Sequence, residues 1–132
     1  MTTQGETLEG PDESNADEFA KFAARGDEGP VMMLNLLKFK PGGAEGYAAY
    51  GAAAGPIVQK FGGKGLFAGR PSELLLGDKA YDWDMMVLVE WPKRQNLLDM
   101  TTSDEYQAVS HLRGDSLVRS VLYAIDPAPT IG

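Results

Sequence analysis

The stretch FGGKGLFAG, Phe61 to Gly69, contains Gly63-Lys64-Gly65-Leu66-Phe67-Ala68, which spells G-x-G-x-x-A. A dinucleotide-binding turn of that form needs a strand before its glycines and a helix after them. The helix N-terminus then offers amides and a positive dipole end to the pyrophosphate. The flanking residues give the opposite order. Upstream, GGAEGYAAYGAAAGPIVQKF places Tyr47, Tyr50, Ala54, Ile57, Val58 and Phe61 at helical spacing. Gly51, Gly55 and Pro56 weaken that helix, and Pro56 predicts a kink near Ala52–Gly55. Downstream, KGLFAG reads as a short strand. Gly62 and Gly63 are therefore expected as positive-φ residues that stop a helix and turn the chain into a sheet. Gly65 and Gly69 fit close packing or a bulge.

Outward from this junction, PVMMLNLLKFK, from Pro30, is a strand with apolar residues on both faces. Val31, Met33, Leu37 and Phe39 alternate with Met32, Leu34 and Leu36, so both faces are expected to be buried. WDMMVLVEW, Trp83 to Trp91, repeats the pattern, and RSVLYAID forms a last strand. RPSELLLGD, directly after KGLFAG, reads as irregular or as a second strand segment. Pro92 opens a helix with Leu97, Leu98 and Thr101 on one face. Thr102 and Glu105 have capping-box spacing for a further helical piece carrying Tyr106, Val109 and Leu112, ended by Gly114. In SNADEFAKFAARG, Asn15 and Glu18 have the same spacing, and Phe19, Phe22 and Ala23 share a face. After this extra helix the order is β-α-β-β-α-β. The expected divisions are an acidic flexible tail (1–13), an N-terminal helix and linker (14–29), a folded domain (30–126) and a short tail (127–132).

The chain has 132 residues and a net charge of −7, but six of its nineteen acids lie in residues 1–18, which hold no Lys or Arg. The remaining thirteen acids face twelve bases, so the folded part is close to neutral. No basic stripe suits a phosphate backbone, which argues against nucleic acid as a partner. No apolar run approaches the roughly 18 residues of a membrane span. There is no cysteine and one histidine, so neither disulfides nor a transition-metal site are expected, and no cofactor. The N-terminus shows no secretory signal, and a cytoplasmic location is the default expectation.

The motifs Y..Y......VQKFGGKGLFAGRPSELLLGD, VLVEWP and SDEYQAVSHLR together resemble the domain-of-unknown-function 1330 family, DUF1330, over residues 31–126. The resemblance implies an α+β, ferredoxin-like βαββαβ fold with an antiparallel sheet, in the dimeric α/β-barrel superfamily. It implies a fold and not a reaction. The acidic leader, the Phe19/Phe22 helix, and Trp91 where Phe is common depart from the family pattern.

Five residues are candidates for a small-molecule site between sheet and helices. Asn35 is the one amide within an apolar strand, where an unpartnered polar group costs about 1–3 kcal/mol. Tyr50 shares a helix face with Tyr47. Arg70 and Arg113 are able to clamp a carboxylate. His111 is the candidate acid or base. Haem-degrading monooxygenases of the same superfamily use an Asn, a Trp and a His. Asn35 and His111 stand near two of these positions, but Met100 stands near the third, so haem turnover is not expected. The rival reading is a non-catalytic module whose sheet serves only to form a homodimer.

Overall fold

The computed structural model describes residues 15–128. The acidic residues 1–13, and most of the C-terminal tail, lie outside that range. The elements run α1 (Ala16–Ala24), β1 (Val31–Phe39), α2 (Gly43–Lys60), β2 (Lys64–Gly69), β3 (Met85–Trp91), α3 (Arg94–Thr101), α4 (Asp104–Gln107), α5 (His111–Ser116) and β4 (Leu117–Ile125). The four strands form one sheet in the order β2-β3-β1-β4, and every neighbouring pair is antiparallel. This is the ferredoxin-like arrangement expected from the element order.

Register decides which residues meet the helices. Val31 lies opposite Trp91, Met33 opposite Val89 and Asn35 opposite Val87, and directly opposed residues share a face. Val31, Met33, Trp91 and Met100 form a buried cluster against which Phe22, Ile57, Val58, Phe61, Leu97 and Tyr106 pack. The odd-numbered side of β1 is thus the helix face. The even-numbered side, with Leu34 opposite both Leu88 and Tyr123, is the open face.

The helix at the FGG junction ends where expected, but its two glycines act differently. Gly62 has φ of 101°, a left-handed position suited to glycine. Gly63 does not have positive φ; it is needed for space. A Cβ there would lie 2.5 Å from Val58 Cγ1 and 3.0 Å from the Trp91 ring. The strand KGLFAG follows, with a register shift between Gly65 and Phe67. α2 runs through Pro56 to Lys60. RPSELLLGD forms no strand, and Leu75 and Leu76 are 86% and 91% exposed. Residue 114 does not end a helix: Gly114 is buried inside α5.

α1 starts at Asn15 without a side-chain cap bond, so the capping box expected there is not formed. The helix docks instead through Phe22 and an ion network. Arg94, 2% exposed, lies 5.2 Å from the Phe22 ring centroid. Its Nη2 donates to Asp126 Oδ1 at 2.7 Å, and Arg25 Nη2 donates to Asp126 Oδ2 at 3.0 Å. Arg94 and then Arg25 hold the Asp126 carboxyl below its usual range. The network ties the N-terminal helix to the end of β4.

Gly63→Ala is expected to destabilise the fold by about 1–3 kcal/mol through overpacking against Val58 and Trp91. Gly65→Ala, where a Cβ meets nothing within 4 Å, is expected to change much less. Urea unfolding of the two variants checks this, and equal costs would contradict the packing role given to Gly63.

Candidate functional site

Asn35 is placed by parity on the helix face, between Val87 and Leu122 of the neighbouring strands. It is half-buried, and Arg113 Nη2 from α5 donates to its Oδ1 at 3.3 Å. The Asn35 Nδ2 donor has no partner among the described residues. Leu122, which shares the face at the edge strand, is exposed, so this side of the layer opens toward solvent.

Above Asn35, aromatic side chains form a chain. Phe39 and Tyr47 have ring centroids 5.7 Å apart, Tyr47 and Tyr50 5.4 Å, and Tyr50 and Tyr106 6.4 Å with edge geometry. The Tyr50 and Tyr106 hydroxyls are hydrogen-bonded at 2.8 Å. Tyr106 is positioned by Ser103, whose Oγ accepts from the Tyr106 amide at 3.2 Å and so caps α4. The cap is thus one residue beyond Thr102, the position expected from sequence. The SDEYQ motif therefore sets the register that brings Tyr106 onto Tyr50. Sequence reasoning placed Tyr106 on a helix face but missed it as a site residue.

Burial raises the Tyr50 hydroxyl well above the ordinary phenol value of 10.0, reinforced by Tyr106. Burial also raises Tyr47, and the Arg113 charge opposes both shifts. Both tyrosines are neutral phenols at physiological pH. They can donate or accept hydrogen bonds and do not serve as bases. With an amide donor and a guanidinium beside them, the cluster suits a ligand carbonyl or carboxylate.

Three candidates thus converge: Asn35, Tyr50 and Arg113. The other two lie elsewhere. Arg70 is exposed in a cleft of about 550 Å³ at the end of β1, so it forms no joint clamp with Arg113, which bonds Asn35. His111 is exposed at the start of α5, and residues two apart on a helix do not face the same way, which turns it from Arg113. Met100 is buried in the core cluster. Among the described residues no three His, Asp or Glu side chains converge as a metal-binding group, and no helix is long and apolar enough to cross a membrane.

An antiparallel β2-β3-β1-β4 sheet with helices on one face and a polar cluster beneath them defines a ferredoxin-like α+β protein. Residues 36–125 match the family described as domain of unknown function (DUF1330), and the chain belongs to it. A protein of unknown function from Rhodopseudomonas palustris, RPA0582, is similar at 30% identity and a TM-score of 0.83, over 92% of this chain and 99% of that one. A dimeric ferredoxin-like protein from Bacteroides fragilis is similar in fold at 12% identity and a TM-score of 0.55, over 76% and 98% of the two chains. A dabb family protein from Mesorhizobium loti is similar at 10% identity and a TM-score of 0.58, over 77% and 100%. Among curated proteins none matches.

The raised Tyr47 and Tyr50 values fix a sign. Above about pH 10 the unfolded chain loses phenol protons that the folded chain keeps, so stability falls as pH rises through that value. Tyr50→Phe is expected to cost about 0.5–1.5 kcal/mol at pH 7 through the lost Tyr106 bond. It is also expected to flatten the alkaline decline. Denaturant unfolding between pH 7 and 11.5 measures both, and an undiminished slope in the variant would contradict the assignment.

Proposed function

We propose that the chain is a homodimeric small-molecule-binding protein whose ligand sits between sheet and helices against Asn35, Tyr50 and Arg113. The observation that carries the reading is the Asn35 amide, set in an apolar layer and bonded by the Arg113 guanidinium, with its own donor unpartnered among the described residues. A small organic molecule bearing a carbonyl or carboxylate satisfies that donor. Tyr50 and Tyr106 supply an aromatic wall with a hydroxyl pair. A cytoplasmic location belongs to the same reading.

The dimer rests on the other face. Met32, Leu34, Leu36, Met86, Leu88 and Tyr123 form a contiguous apolar surface. α1 packs with the helix-face cluster and leaves this surface uncovered. Apolar patches of this extent are uncommon on monomers, and a two-fold partner covers the patch with its own copy. The Bacteroides fragilis relative is described as dimeric, which supports the same arrangement. A non-catalytic assembly module is the second reading; it keeps the dimer and denies the ligand. Because the two features occupy opposite faces, testing one does not disturb the other.

The test is a thermal-shift screen of small keto and carboxylic acids on the full chain, with mass measured by light scattering. A stabilising acid is expected to lose its effect in Asn35→Leu, while that variant retains the dimer mass of 28.4 kDa, twice 14.2 kDa. Leu34→Glu is expected to disrupt that mass. No stabilising acid, or an equal response in Asn35→Leu, would leave only the assembly reading. A 14.2 kDa species for the unmodified chain at all concentrations would remove the dimer.

A further inference from the structure

We propose that the cleft at the end of β1 is a second, independent binding site, for a small aromatic carboxylate. Its volume of about 550 Å³ falls in the range of small-molecule sites. It is lined by Lys38 and Phe39 at the end of β1, Lys40 in the turn to α2, Arg70 after β2, and Trp83 and Asp84 before β3. Asn35 and Arg113 are not among its walls.

The charge balance points to an anion. Asp82 accepts from Lys38 Nζ at 2.7 Å and from Arg119 Nη2 at 2.8 Å. Asp84 accepts from the Phe39 amide at 2.9 Å through Oδ2 and from Lys38 at 3.4 Å through Oδ1. Two carboxylates thus neutralise two cations, Lys38 and Arg119. Lys40 and Arg70 are left over. Both are exposed, and neither has an ion-pair partner among the described residues. In a folded part that is close to neutral, a cleft with two cations unpaired among the described residues is a local excess of positive charge.

The walls point to an aromatic body. The Arg119 guanidinium lies 4.8 Å from the Trp83 ring centroid, which orients that indole at the cleft. Phe39 is held against Tyr47. An aromatic acid places its ring against Trp83 and Phe39. Its carboxylate takes the planar fork of Arg70, with Lys40 as a second charge. A carboxylate without a ring forgoes the apolar contact, and a ring without a carboxylate forgoes the charges.

Trp83 reports on the site, because the only other tryptophan, Trp91, is 2% exposed in the core. Intrinsic fluorescence is followed while the full chain is titrated at low ionic strength with sodium benzoate, sodium acetate and benzamide. A saturable change is expected with benzoate, with much weaker responses to the other two. Arg70→Gln and Lys40→Gln are each expected to weaken benzoate binding about fivefold to tenfold, as loss of a charge-assisted contact implies. Both side chains are exposed, so melting temperatures are expected to be unchanged. Arg113→Gln is expected to bind benzoate as the unmodified chain does. No saturable change would overturn the proposal, as would equal binding of acetate or wild-type affinity in both cleft variants. Loss of benzoate binding in Arg113→Gln alone would assign the acid to the inner cluster and likewise overturn it.

Discussion

Strand β1 is apolar on both sides, and the described residues of one chain bury only one of them. Val31, Met33 and Leu37 are buried beneath the helices. Met32, Leu34 and Leu36 point the other way and remain half-exposed. Burying each such side chain is worth about 1.5–3 kcal/mol, so leaving the second face in water is unfavourable. The rest of the structure follows from how β1 is used. It is the central strand, paired with β3 and β4, and it therefore fixes the faces of both neighbours. It carries the one amide of the apolar layer, Asn35, on the helix face. At its end it delivers Lys38 to the Asp82–Asp84 pair and Phe39 to the aromatic chain.

The order of elements was legible because hydrophobic period changes at each junction. The helix–glycine–strand order at residues 61–64 was enough to reject a nucleotide turn. Finer features depended on competition between neighbours. Thr101, Thr102 and Ser103 all carry hydroxyls, but those of Thr101 and Thr102 both donate to the Leu98 carbonyl and finish α3. Ser103 is left as the cap of α4. Gly63 was legible as essential but for the wrong reason, since its constraint comes from Val58 and the Trp91 ring and not from its own φ. Gly114 signals a helix end by type, yet it is accommodated within α5.

The site was half legible. Parity put Asn35 on the face opposite Leu34, and helical spacing put Tyr47 and Tyr50 together. Nothing local links Asn35 to Arg113, which are 78 positions apart, or Tyr50 to Tyr106, 56 apart. Those contacts exist only once α2, α4 and α5 lie on the sheet. Arg70 and Arg113 look equivalent in sequence, and the fold separates them into an exposed cleft and an inner cluster. The pair of buried Arg94 with exposed Asp126, which holds the N-terminal helix, is likewise a product of tertiary geometry.

The claim that the two sides of one sheet have different partners is tested most directly through methionine methyl groups. Met32 and Met86 lie on the open face, whereas Met33 and Met100 lie in the buried cluster under the helices. In a mixed sample of isotope-labelled and unlabelled chains, the account predicts intermolecular nuclear Overhauser contacts at the Met32 and Met86 methyls and none at Met33 and Met100. Intermolecular contacts absent from Met32 and Met86, with both methyls reached by a soluble paramagnetic probe at every protein concentration, would contradict it.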